Sequence, residues 1–199
     1  FRSEARIAWL FITPYLIGFT LFHFLPVLLS AVLSLTDMRY ISMIDKTHFI
    51  GLGNYFEMSR DPEFWNAFCN SIVYSICFVP FVMAAGLLLA VLVNQKIHFR
   101  NGIRAMIFMP YVSNMVAIAI VWSILLDPVD GIVNQTLSAL GVNQAPMWLM
   151  GSKTALYSVV MIAVWREVGL QFVTYLAALQ EVPTELKEAA QIDGAGRSE

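Results

Sequence analysis

Residues Phe64–Gln95 read FWNAFCNSIVYSICFVPFVMAAGLLLAVLVNQ, 32 positions without one Asp, Glu, Lys or Arg. Two further runs share this property: Ile7–Thr36, with 30 residues, and Ala105–Leu126, with 22. Crossing about 30 Å of hydrocarbon takes roughly 20 helical residues. The runs show no alternation with period two, and lipid offers no partner to open backbone, so they must cross as helices. The expected spans lie at about Ala8–Leu35, Phe68–Val93 and Ala105–Leu126. Pro14, Pro26, Pro80 and Pro110 fall within or beside them. Membrane helices tolerate proline where neighbours satisfy the freed carbonyls, so kinks and a packed bundle are expected.

The rest of the chain fits this reading. Hydrophobic types make up 58% of the 199 residues, charged types 13%, and mean hydropathy is +0.68. Soluble chains carry roughly a quarter charged residues. A soluble enzyme and a disordered tail are thereby excluded, and a net charge of -2 excludes a nucleic-acid binder. Cys69 and Cys77 sit eight residues apart on one helix, about 12 Å along its axis, too far for a disulfide. The chain starts at Phe1 rather than Met, and the first apolar run is too long for a signal-peptide core. It is expected to persist as a span.

A fourth span is expected at about Thr154–Ala178, although Arg166 and Glu167 interrupt it. Gly131–Ser152 also lacks charge, but Asn134, Gln135, Asn143, Gln144 and Pro146 make it too polar to cross. It reads as a loop with a short amphipathic helix, Ile132, Val133, Leu137 and Leu140 facing one way. Lys96, Arg100 and Arg104 crowd the short loop between the second and third spans with no acid beside them. The longer connections carry more acid than base: Asp37–Glu63 holds three basic and five acidic residues, and Asp127–Lys153 one and two. The positive-inside rule therefore places the short loop in the cytoplasm, with the N-terminus and the segment after the fourth span on the same side. The fold class is all-α, a polytopic membrane helix bundle with four spans in this chain.

That last segment runs Glu181-Val-Pro-Thr-Glu-Leu-Lys-Glu-Ala-Ala-Gln-Ile-Asp-Gly-Ala-Gly-Arg-Ser-Glu199. Thr184 is a natural helix N-cap, Ala189 and Ala190 favour helix, and Gly194 suits a left-handed end. The expected helix spans about residues 184–194 and lies at the cytoplasmic face. On physics alone it reads first as a solvated connector between spans, and otherwise as a shape suited to lodging in a partner's groove.

Glu188-Ala-Ala-Gln-Ile-Asp193-Gly194-Ala195 closely resembles the EAA signature of permease subunits in binding-protein-dependent ABC importers. Tyr175–Lys187 is similar to the carbohydrate-uptake type 1 branch, which includes the maltose- and glycerol-3-phosphate-type permeases. The likeness continues in Phe49-Ile-Gly-Leu-Gly-Asn-Tyr55, in Gly131–Asn134 through Gly141 and Trp148, and in Trp165. It implies a type I importer permease fold, truncated here after the EAA motif, since the family's motif runs on to an Ile-x-Leu-Pro ending and further spans. The resemblance implies that Glu188, Ala189, Ala190, Asp193 and Gly194 form a coupling helix docked on a cytoplasmic ATPase. It also implies a second permease, two ATPase subunits carrying ATP and Mg, and an extracytoplasmic solute-binding protein. The implied place is the cytoplasmic membrane, multi-pass, and the implied cargo a sugar or sugar-like solute. Phe49–Tyr55 and Gly131–Trp148 are candidates for contact with the binding protein.

Arg166 and Glu167 lie about 20 Å along the fourth span from Lys153 at 1.5 Å per residue. Ionised groups at that depth should face protein or water. As sequence neighbours they diverge by about 100° and make a poor mutual pair. Glu167, Gln171 and Thr174 form one polar stripe, which suits either the wall of a hydrophilic pathway or contact with another helix. Asn114, near Pro110, is a weaker pathway candidate. His23 reads as hydrogen-bonded to a neighbouring helix, and Trp9, Trp65 and Trp148 as interfacial anchors. The chain has no phosphate loop, no zinc pair of the H-E-x-x-H kind and no nucleophile elbow, so no catalytic or metal residue is expected in it. If transport is driven by ATP, hydrolysis belongs to another chain. Two other readings stand beside this one: a secondary transporter using an ion gradient, which would favour inverted repeats around buried carboxylates, and a non-transporting membrane scaffold.

Overall fold

A computed structural model describes residues 2–38, 47–95, 99–142, 146–183, 185, 189 and 192–194. Within them the order is α1 (Arg2–Phe19), a π-helical turn (Thr20–Phe24), α2 (Leu25–Leu33), α3 (Gly53–Arg60), α4 (Pro62–Asn94), α5 (Arg100–Val112), α6 (Met115–Leu125), α7 (Ile132–Ala139) and α8 (Ala155–Glu181). Besides helices, the described residues contain one isolated antiparallel bridge, Thr36 to Phe49. Ile7–Leu33, Pro62–Asn94 and Ala155–Glu181 are each long and apolar enough to cross a membrane. The chain divides into two compact units, residues 1–68 and 69–199.

In the first unit, Pro26 sets the shape of the first span. Its ring cannot coexist with a normal helical carbonyl four residues back, and it has no N–H to donate. The helix absorbs the conflict as a π-turn just ahead of it, where the Leu25 N–H reaches the Thr20 carbonyl, five residues back. His23 sits in this turn and stacks on Phe19, centroids 5.8 Å apart. The far end of the span is clamped by the Phe49–Tyr55 segment. Asn54 donates to the carbonyls of Ser34 and Thr36, both at 2.8 Å, and the Tyr55 and Ser34 hydroxyls share a 2.7 Å hydrogen bond. Gly51 supports the turn with φ of +58°, a value glycine adopts without penalty. Trp65 donates its indole N–H to the Ser59 carbonyl across the α3–α4 corner, 2.8 Å.

In the second unit α4, α5 and α8 share a core. Ala90 and Phe172 are fully enclosed, Val93 and Leu176 nearly so, and Ile103 and Ile107 of α5 pack against them. Lipid is as apolar as these side chains, so the packing rests on close van der Waals fit, which small residues permit. Gly86 and Gly169 supply that fit. A Cβ on Gly86 would sit 2.6 Å from the Cβ of Gln171, and one on Gly169 would sit 2.7 Å from the Ile107 carbonyl oxygen.

The third expected span is not one helix. α5 and α6 meet at 97°, broken at Ser113 and Asn114. Pro110 interrupts the hydrogen-bond ladder of the last turn of α5, and the Asn114 side chain restarts it, accepting from the N–H groups of Val116 (2.8 Å) and Ala117 (3.3 Å). The face expected of α7 also needs correction. Ile132 and Leu140 are exposed, while Asn134 is buried and Val133 and Leu137 are half-buried beside it. A buried amide with good partners outcompetes two leucine-sized side chains for the inner face.

Candidate functional site

A cavity of about 700 Å³ opens within the second unit, between α4, α6 and α8. The break at Asn114 places α6 as one wall. α4 contributes Tyr74 and Phe78, one helical turn apart and stacked at 5.4 Å. α6 contributes Trp122, whose ring is held edge-on against Trp165 of α8 at 5.4 Å. α8 contributes the polar groups, Arg166, Glu167 and Gln171. Gln171 takes this position because Gly86 leaves room for its Cβ against α4.

Arg166 and Glu167 form an ion pair, guanidinium to carboxylate, with side chains 26% and 29% exposed. This overturns the expectation of a poor mutual pair. A 100° separation at the backbone is closed by two long side chains that both turn into the cavity, where an uncompensated charge would be costly. The guanidinium also lies over the Tyr111 ring, 5.8 Å from its centroid, so α5 holds it from the other side. The wall as a whole offers aromatic faces, one carboxylate, one guanidinium and one amide. That set suits a solute with apolar ring faces and many hydroxyls.

Other expected site residues fall elsewhere. Thr174 is exposed, donates to the Leu170 carbonyl at 2.9 Å, and does not line the cavity. Asn114 lies beside the cavity wall, its oxygen engaged as the cap of α6. Glu188 and Ala190 lie outside the described residues, as does Thr184. The Asp193 N–H donates to the Ala189 carbonyl at 3.0 Å, one helical turn, and Gly194 follows with φ of +87°. Ala189, Asp193 and Gly194 are exposed, as is Ile192 beside them. Tyr74, Phe78 and Trp122 were missed by sequence reasoning, because aromatics in an apolar run read as lipid-facing or core. The four-residue spacing of Tyr74 and Phe78 is the signal that places them on one face.

The connection between α6 and α8 is built around Asn134. Its amide donates to the Pro128 (3.1 Å) and Pro146 (3.2 Å) carbonyls, and its oxygen accepts the Trp148 indole N–H at 2.6 Å. Trp148 is therefore a lock for this loop rather than simply an interfacial anchor. The Asp127 carboxylate accepts from the N–H groups of Asp130 and Val129, both at 2.9 Å, and these bonds, Asp130 first, hold its pKa below the ordinary value. A depressed carboxylate stabilises the fold above its unfolded pKa, about 3.9, and loses that contribution as pH falls through the folded value. The loop is accordingly expected to stay ordered down to about pH 4 and to loosen below it. Hydrogen exchange at residues 127–131 in a pH series checks this, and Asp127→Asn is expected to flatten the acid dependence.

Residues 82–199 match the family described as the inner membrane component of binding-protein-dependent transport systems. The chain is 34% identical over 194 residues to the probable ABC transporter permease protein YurN of Bacillus subtilis, covering 96% of this chain and 65% of that one. It is 36% identical over 188 residues to the lactose transport system permease protein LacF of Rhizobium radiobacter, covering 94% and 61%. It thus spans under two thirds of the length of these relatives. Among solved structures, a bacterial ABC transporter involved in import of the acidic polysaccharide alginate matches with a TM-score of 0.78 over 98% of this chain and 65% of the other, at 22% identity. That likeness concerns the fold.

Proposed function

Because the chain belongs to the inner-membrane components of binding-protein-dependent transport systems, we propose that it serves as a permease subunit of an ATP-driven sugar importer. The observation that carries this reading is the cavity wall, where Tyr74, Phe78 and Trp122 stand opposite Arg166, Glu167 and Gln171. Aromatic faces pack on the C–H faces of sugar rings, and the carboxylate and amide accept or donate to hydroxyls. Arg166 and Glu167 cancel in charge, which favours a neutral solute such as the lactose named for one relative over an acidic polysaccharide such as that named for the structural neighbour.

In this proposal the protein lies in the cytoplasmic membrane with its N-terminus inside and four spans in this chain, the third one broken. It works with a second permease, two ATPase subunits holding ATP and Mg, and a solute-binding protein outside. This chain supplies passage rather than hydrolysis. The helix of about residues 184–194, with Glu188, Ala189, Ala190, Asp193 and Gly194, docks on an ATPase. Closure of the ATPase pair is passed through that helix to α8, and the cavity switches access.

The test is made in the full-length protein with its partner subunits in vesicles. Gly194→Val forces a β-branched residue into φ of +87°, a conformation such residues rarely adopt. Association with the ATPase and sugar uptake are expected to fall together, by roughly tenfold or more on the scale of a 1.4 kcal/mol docking loss, while the protein still inserts. Uptake that survives both the substitution and removal of ATP, yet collapses with a proton or sodium ionophore, would establish the gradient-driven alternative instead.

A further inference from the structure

Three helix ends meet through their side chains: the end of α4, the start of α5 and the end of α8. Arg100 and Arg104, one turn apart at the start of α5, both donate to the side-chain oxygen of Gln180 at the end of α8, at 2.6 and 2.7 Å with the amide turned to face them. Arg100 also reaches the Asn94 side-chain oxygen, at the end of α4, at 3.4 Å. An apolar layer adjoins this cluster: Val93 and Leu176 are buried, and Ile103 and Leu179 pack against them. Two guanidiniums aimed at one neutral oxygen repel each other, and the arrangement persists only where that oxygen is held in place. The last turn of α8 holds it.

We propose that Gln180, gripped by Arg100 and Arg104, is a latch that delivers movement of the docking segment to α5. It is a positioning device for transport, and it rests on the reading of residues 184–194 as the ATPase-docking helix. Immediately after α8, Val182 is extended, with ψ of 114°, and Pro183 fixes its own φ. Val182 and Pro183 leave little backbone freedom immediately after α8, so in this proposal displacement enters at the last turn of α8, where Gln180 lies. α5 is tied to α8 a second time, where Gly169 brings the two backbones together at Ile107 and Phe108. Gripped at both places, α5 follows α8 as one body. α5 ends at Val112, and across the Asn114 break begins α6, the wall that carries Trp122. The latch therefore lies between the last turn of α8, which leads into the docking segment, and α5, which leads through the Asn114 break to the α6 wall of the cavity.

The experiment uses the full-length permease assembled with its partner subunits in lipid vesicles, and reads solute taken up per ATP hydrolysed. Gln180→Leu removes the acceptor. It is expected to leave co-purification of the ATPase and basal hydrolysis intact, while uptake per ATP falls at least about fivefold, the low end of ordinary coupling effects. Gln180→Glu offers a stronger, charged acceptor to the same two guanidiniums and is expected to retain or raise the ratio. Should Gln180→Leu fail to assemble, Arg104→Leu, which leaves Gln180 and Arg100 in place, is expected to show the same fall. An unchanged ratio in the variant that assembles, or an equal fall in Gln180→Leu and Gln180→Glu, would overturn the latch. Failure of the underlying importer reading shows separately, as an absence of ATP-dependent uptake by the unsubstituted complex.

Discussion

Glu167→Leu is expected to abolish sugar uptake and to lower the stability of the bundle by about 3 kcal/mol. Removing one member of a buried ion pair strands the other, at a cost of about 3–5 kcal/mol. The lower end applies because the partners are 26% and 29% exposed to the cavity. Arg166 would keep its contact with the Tyr111 ring, which offsets only part of the lost carboxylate. The double variant Arg166→Leu with Glu167→Leu is expected to regain most of the stability, since an apolar pair of similar bulk strands no charge, yet to remain inactive. Thermal unfolding of the reconstituted complex beside an uptake assay reads both effects. Equal instability in the single and double variants would mean that the two side chains do not act as a unit.

A second large effect is expected at Gly86. Even alanine places a Cβ 2.6 Å from the Gln171 Cβ and 3.2 Å from the Phe172 backbone nitrogen. None of these atoms is the free tip of a flexible side chain, so α8 must retreat from α4. Phe172, fully enclosed in the native packing, then loses its seat. Overpacking of this kind costs about 1–3 kcal/mol. Gly86→Ala is expected to show most of that loss and Gly86→Val the rest, with weaker solute binding because Gln171 moves. Solute binding by calorimetry and thermal unfolding together check it; a fully stable Gly86→Val would mean that the two helices do not approach this closely.

Much of this architecture was legible in the sequence, because charge is nearly forbidden in hydrocarbon and its absence over 20 or more residues marks a helix directly. The first and second spans come from that rule alone; the fourth, interrupted by Arg166 and Glu167, was read from the apolar stretches on either side of them. The third span shows its limit. Pro110 and Asn114 announce a stop and a cap, but a charge-free run conceals the break, and the 97° bend depends on tertiary packing. Arg166 and Glu167 were legible as functional candidates from their depth alone. Their pairing was not, since backbone angle says little about where two long, flexible side chains end. The aromatic wall was missed for a related reason: in an apolar run, nothing local separates a ring facing lipid from one facing a cavity. The pairing of Asn134 with Trp148 spans 14 residues, a distance at which local patterning carries no information.

The right-angle break between α5 and α6 also bears on how such a wall diversifies. A straight helix ties the azimuth of every residue to every other, so re-aiming Trp122 would drag the inner arm with it. Here the joint consists of a ring without a proton to give and one amide that starts the next helix. Small changes at those two places can swivel one arm while the grip of the other on its neighbour stays as it is, so the shape of the chamber can be altered without disturbing the contact between α5 and α8.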